Sequence, residues 1–143
     1  NQRIHGYLVK NEKTNKVTVS QKKPAEQTKE WKEASAIDTE YKVLARNRET
    51  TLLEVHLITG KTHQIRAHLA SIGHPIAGDY KYGNRSFNDA LKKKYGLRSQ
   101  LLHAYRLEFP ENCEGDIKQL SGKIIKASVP ALFEQICKAQ GVM

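Results

Sequence analysis

The sequence predicts an α+β domain built on a mixed, mainly antiparallel sheet with a few flanking helices. Three observations predict it. Candidate strands outnumber candidate helices. The strands come in pairs joined by short polar links, which favours hairpins. Strand and helix do not alternate along the chain, as a doubly wound parallel sheet would require.

The elements follow in order. Residues 3–10 carry Ile4, Tyr7 and Val9 in a strand-like pattern, Asn11 to Asn15 is polar and turn-like, and Val17-Thr18-Val19 returns. The first 20 residues therefore read as a hairpin. Residues 21–35 are rich in lysine and glutamate around Pro24, an exposed basic connection with a short helix near Glu30 anchored by Trp31. A strand over Ile37–Ala45, a turn at Asn47-Arg48-Glu49 and a strand over Leu52–Thr59 make a second hairpin. In the latter strand Leu53, Val55 and Leu57 share one face. Gly60 ends it, and Thr62 is placed to cap a helix running to about Ile72, with Ile65, Leu69 and Ile72 as its apolar stripe. Gly73 and Pro75 stop that helix. A loop, Gly78-Asp79-Tyr80-Lys81-Tyr82-Gly83, leads to a basic helix over Phe87–Tyr95. Strands are expected over Leu101–Phe109 and Lys123–Ala127. Pro130 opens a last helix that buries Leu132, Phe133, Ile136 and Cys137.

Bulk properties narrow the class. The 143 residues suit one domain or a large part of one, and 38% hydrophobic content argues against a disordered chain. No apolar run reaches the roughly 20 residues of a membrane span, so no membrane partner is expected. Cys113 and Cys137 are isolated and read as free thiols of a cytoplasmic protein rather than a disulfide. Lysine and arginine total 24 against 15 acids, a net charge of +9, which favours a polyanionic partner.

The chemistry concentrates in Thr59-Gly60-Lys61-Thr62-His63-Gln64-Ile65-Arg66-Ala67-His68, then Gly73-His74-Pro75-Ile76 and Gly78-Asp79. A strand, a glycine turn and a helix start leave backbone amides facing outward, a setting for an anion that Lys61 and Arg66 would reinforce. Arg66 lies in the first turns, where the helix dipole disfavours a cation, so it needs an acidic partner. A surface arginine in water is the plainer reading from the residues alone. His63 and His68 are five apart and do not share a helix face, and no zinc spacing is present, so no metal is expected.

This run resembles the third motif of RluA-like RNA pseudouridine synthases, TGRTHQIRVH followed by GHPIxGD. Tyr82-Gly83, Leu102-His103-Ala104 and the proline-started last helix add to the likeness, which spans residues 37 to 137. Residues 1–23 resemble a hairpin inserted in some members. The resemblance implies a cofactor-free isomerisation of uridine to pseudouridine in structured RNA, large-subunit ribosomal RNA above all, in which an aspartate attacks a flipped-out nucleotide. It assigns Arg66 the role of ion-pair partner to that aspartate. It places Lys61, Thr62, His63, Gln64 and His68 toward RNA. It makes Gly60, His74, Pro75, Gly78, Asp79 and His103 structural, with Asp79 a turn acid. Lys61 stands where the family has arginine, keeping charge and losing fork geometry.

The aspartate's own motif, HRLDxxTSG, matches none of Asp38, Asp79, Asp89 and Asp116. Residues 1–143 are therefore expected to be the carboxy-terminal portion of a catalytic domain. Alone it would be inactive. It would expose surface to a missing amino-terminal half or to a second copy of itself. Two other readings compete: a basic RNA-binding module without catalysis, and a phosphate-handling hydrolase using His63 and Asp79.

Overall fold

The computed structural model describes residues 1–143. Strands β1 (Gln2–Asn11), β2 (Lys16–Ser20), β3 (Ser35–Arg46) and β4 (Thr51–Leu57) form one sheet in the order β2-β1-β3-β4, antiparallel at every step. The first hairpin turns where the Asn11 side chain accepts from the amides of Lys13 and Thr14. The second turns where Asn47 does the same for Glu49 and Thr50. Both are the self-bonding turns that asparagine favours. A register shift between Val43 and Ala45 bulges β3 near its end.

Between the hairpins, Thr28 caps the short helix α1 (Lys29–Glu33) by accepting from the Trp31 amide, as the residues around Glu30 suggested. Beyond β4 come α2 (Gln64–Ser71), α3 (Arg85–Tyr95), a two-stranded antiparallel ribbon of β5 (Arg106–Glu108) and β6 (Ile124–Lys126), and α4 (Ala131–Ala139). A 3-10 helix, Gly115–Leu120, lies inside the ribbon's connection. No helix is long and apolar enough to cross a membrane.

Three local expectations need correction. The strand expected over Leu101–Phe109 shrinks to three residues, because β6 offers only three partners and Leu101 instead donates its amide to the Ala77 carbonyl. The strand expected to reach Thr59 ends at Leu57. Thr62 does not cap α2: the helix opens at Gln64, after His63 in a left-handed conformation with φ 53°. Pro130 precedes α4 as expected.

Two small cores hold the parts together. Leu8, Val17 and Ile37 on one sheet face close over Ala67 of α2. Leu91, Leu97 and Ile136 join α3 to α4, with Phe87, Leu101 and Leu132 around them. The sheet thus fixes α2, and α3 fixes the loop between them.

Candidate active site around Arg66

Arg66 projects from α2 toward the Gly78–Gly83 loop. Its Nε donates to Asp79 Oδ2 at 2.7 Å and its Nη2 to Oδ1 at 3.0 Å, a side-on bidentate pair. The Asp79 side chain is fully buried and that of Arg66 is 15% exposed. Burial pushes the Asp79 carboxyl upward, but Arg66 and the amides of Tyr82 and Lys81 outweigh it and hold the group below the usual carboxylate range. Arg66 thus has one carboxylate partner within the chain, distinct from the catalytic aspartate whose motif is not found in it, and Asp79 is more than the turn acid expected. Asp79 serves both roles: it caps the turn and clamps the guanidinium.

The loop is built to present that carboxylate. Asn88 of α3 accepts from the Gly78 amide at 2.7 Å and donates to the Asp79 carbonyl at 2.9 Å. Gly78 has φ +82°, and a Cβ there would sit 2.2 Å from the Ser99 carbonyl oxygen, so both conformation and space demand glycine.

Tyr82 completes the cluster. Its ring lies 5.1 Å from the Arg66 guanidinium carbon. Its hydroxyl accepts from the Val17 amide at 3.0 Å and lies 2.8 Å from His63 Nδ1. The phenol proton is free to be given to Nδ1, an arrangement that suits a neutral imidazole. Burial first, then the Arg66 and Lys81 charges, depress the His63 pKa and agree with that state. Lys81 in turn reaches the hairpin, with Nζ 2.5 Å from the Asn15 carbonyl oxygen.

The other expected site residues divide. Lys61 and Thr62 are exposed beside the cluster, and His63 is half-buried within it. Gln64 and His68 are buried at 2% and 1% exposure, so the expected RNA contact is corrected for both. Gln64 Nε2 donates to the Asp38 carbonyl and to Thr39 Oγ1, while its Oε1 accepts from Thr59 Oγ1 and the Lys61 amide. Thr39 Oγ1 lies 2.9 Å from His68 Nδ1. These groups sew α2 to β3, because an interior polar atom must find a partner. The Lys61 amide is consequently spent on Gln64 rather than offered to an anion.

Gly60 is exposed at the turn after β4. His74 and Pro75 sit exposed where α2 ends, the His74 amide bonding the Leu69 carbonyl. His103 lies by the ribbon, with Nε2 3.4 Å from the Ala127 carbonyl oxygen, away from Arg66's hydrogen-bonded cluster. Sequence reasoning gave Thr39 and Asn88 no role in the site, since each acts through contacts between separate elements. The Tyr82 ring, noted in the sequence only as part of the family likeness, packs on Arg66. No group of three potential ligands is placed to hold a metal ion.

A second feature lies on another face of α2. A groove of about 660 Å³ runs between β3–β4, α2, α3 and α4, lined among others by Leu53, Val55, Leu69, Ile72, Phe133 and Val142. The apolar stripe of α2 faces this groove: Ile65, Leu69 and Ile72 all line it.

Residues 2–71 match the family described as RNA pseudouridylate synthase. Similar proteins include the ribosomal large subunit pseudouridine synthase C of Vibrio cholerae, 42% identical over 72 residues, covering 50% of this chain and 22% of that protein. The ribosomal large subunit pseudouridine synthase D of Nitrosomonas europaea is 47% identical over 83 residues, covering 55% of this chain and 23% of that protein. Among solved structures, human RNA pseudouridylate synthase domain containing 4 superposes with a TM-score of 0.70 at 26% identity, over 98% of this chain and 56% of that one. The chain thus spans about a quarter of the length of these curated relatives.

Proposed function

We propose, from the match of residues 2–71 to the RNA pseudouridylate synthase family, that the chain supplies the arginine side of a site that isomerises uridine to pseudouridine in structured RNA, ribosomal RNA foremost. The observation that carries the reading is the state of Arg66. It is mostly withdrawn from water, fixed by Asp79 along its Nε–Nη2 edge, and makes no other hydrogen bond. Guanidinium has five donors, so Nη1 and one Nη2 hydrogen remain for a second acid. A nucleophilic aspartate placed there would be kept ionised and oriented. No cofactor enters this chemistry: a glycosidic bond to nitrogen is broken and one to carbon is made.

None of the four aspartates of this chain is placed to be that nucleophile. Asp79 is buried with both oxygens committed. Asp38 of β3 is bound to Arg3 and His5 of β1, and Asp89 to Tyr80. Asp116 sits exposed in the 3-10 helix. The chain alone is accordingly inactive in this reading, and the nucleophile comes from the amino-terminal portion of the same catalytic domain, docked against the groove described above. The surface area supports such docking. The chain exposes 10136 Å², whereas a self-contained domain of its mass exposes roughly 7,500 Å². The excess is of the size an obligate interface covers. The basic surface, including Lys92, Lys93 and Lys94 of α3, supplies the RNA attraction, and the protein acts in the cytoplasm.

Tritium release from RNA labelled at uridine C5 tests the proposal. Full-length protein should turn over, and Arg66→Ala should abolish turnover with little change in RNA affinity. Equal losses of binding and turnover would reduce Arg66 to a binding residue and favour a non-catalytic RNA-binding module. Substituting Lys92–Lys94 together by alanine should weaken binding and flatten its salt dependence.

A further inference from the structure

We propose that Lys81 is a positioning residue for RNA: its ammonium holds the overhanging end of the β1–β2 hairpin against the Arg66 site, so that Lys10 and Lys16 stand ordered for the RNA backbone before RNA arrives. The inference rests on the function proposed above and deepens it, by naming the segment that meets RNA phosphates beside the site.

The hairpin needs such a hold. β3 pairs with β1 only between Gln2 and Leu8, whereas the hairpin ladder continues to Asn11 and Lys16. β2 is the outer strand of the sheet, so residues 9–18 run past the end of β3 as a ribbon with no third strand. A two-stranded ribbon is marginal in water by itself. This one is tied down on the loop between α2 and α3. The Tyr82 hydroxyl accepts from the Val17 amide, and Lys16 Nζ stands 6.0 Å from the Tyr82 ring centre. Among these contacts Lys81 alone reaches the turn: its Nζ donates to the Asn15 carbonyl at 2.5 Å and lies 3.4 Å from that of Thr14. The strut starts from a fixed base, since the Lys81 amide donates to Oδ1 of the buried Asp79.

The charge of the overhang says what it faces. Lys10, Lys13 and Lys16 stand against a single acid, Glu12, whose side chain is 81% exposed and lies 3.4 Å from Lys10. Lys10 and Lys81 are close enough for their charges to act on His63. Lys16 sits over the same Tyr82 ring that packs on Arg66. A row of cations bordering a site for uridine fits the phosphates of the strand that carries the uridine. Ammonium groups already held in place avoid the ordering cost that a loose ribbon would meet on binding. Lys81 spends its own donors on the turn carbonyls, so it acts through the hairpin and not as a phosphate ligand.

The test uses full-length protein and compares wild type with Lys81→Met and Lys81→Arg. Methionine keeps much of the length and removes the donors, whereas arginine keeps donors and charge. Without RNA, hydrogen–deuterium exchange over residues 11–18 should quicken about fivefold in Lys81→Met and stay near wild type in Lys81→Arg. With a transcript of large-subunit ribosomal RNA, Lys81→Met should raise Kd and KM about fivefold. Its kcat should remain within a factor of about two of wild type, and the slope of log Kd against log salt should not change. A direct phosphate contact would instead lower that slope by about one. Wild-type exchange in Lys81→Met overturns the inference, as does a slope lowered by about one, or a loss of kcat with KM unmoved. Wild-type protein that binds this RNA and never turns it over would sink the enzyme reading itself, and the exchange measurement then decides the strut separately.

Discussion

Arg66 and His68 sit two residues apart on one short helix and serve opposite ends. Arg66 leaves the helix toward the loop and keeps an open edge. His68 points into the protein, with Thr39 Oγ1 at Nδ1 and the His5 carbonyl as its other neighbour. Burial depresses the His68 pKa, with the His5 carbonyl pulling the other way and losing. In the unfolded chain the imidazole titrates near its ordinary value of about 6.5. The unfolded state therefore binds more protons as the pH drops past that value, and folding stability falls with it. The contribution is complete above the ordinary value and is lost progressively down to the depressed one. His63, depressed chiefly by burial, acts in the same direction. The expected result is a Tm that decreases from pH 7.5 toward pH 5.5, with a shallower decrease in His68→Gln. A flat wild-type profile across that interval would contradict a neutral buried imidazole.

At the level of elements, the loop between α2 and α3 is the device that makes the site, and α3 is its foundation. Asn88 ties two backbone groups of that loop and is 1% exposed. Asn88→Ala would leave a buried amide and a buried carbonyl without their partners, at a cost of about 2 kcal/mol. Urea unfolding should show that loss, and Arg66 Nε should exchange faster because its carboxylate has lost its footing. Gly78→Ala should be worse. It imposes a side chain at positive φ and drives it into the Ser99 backbone, so we expect insoluble or unfolded protein where Gly73→Ala, at φ +85° with open space around it, is strained yet folds. Soluble expression and circular dichroism of the two variants separate them.

For the molecule as a whole, the deciding quantity is uncovered apolar surface. Only 18 of 143 residues are buried, and the two cores are small. The β5–β6 ribbon leaves Leu107, Ile124 and Ile125 at least half exposed, and an isolated two-stranded ribbon is marginal in water. β4 also presents a free edge, the kind of edge that recruits another strand. Sedimentation of the chain by itself should reveal self-association that rises with concentration, and co-expression with the amino-terminal portion of the domain should suppress it. A compact monomer at all concentrations would show that the groove is tolerated open and would remove the docking argument.

What the sequence by itself determined was local or periodic. The two hairpins follow from apolar alternation and asparagine turns, and the α2 stripe from its spacing. The end of α3 follows from Gly96, which adopts the left-handed conformation at its cap. The likeness to a family followed from one ordered run of residues around Arg66. Only the tertiary structure decided who partners whom. Gln64 and His68 lie in the motif most suggestive of RNA contact, yet the packing of α2 on β3 turns them inward. Asp79 is 13 residues from Arg66, and nothing in local spacing reports that a loop folded over by Asn88 will bring them within 2.7 Å. Strand and helix patterns record short-range sterics and the repeat of one face. A side chain's partner is set by how separate elements stack, and that information is distributed over the whole chain.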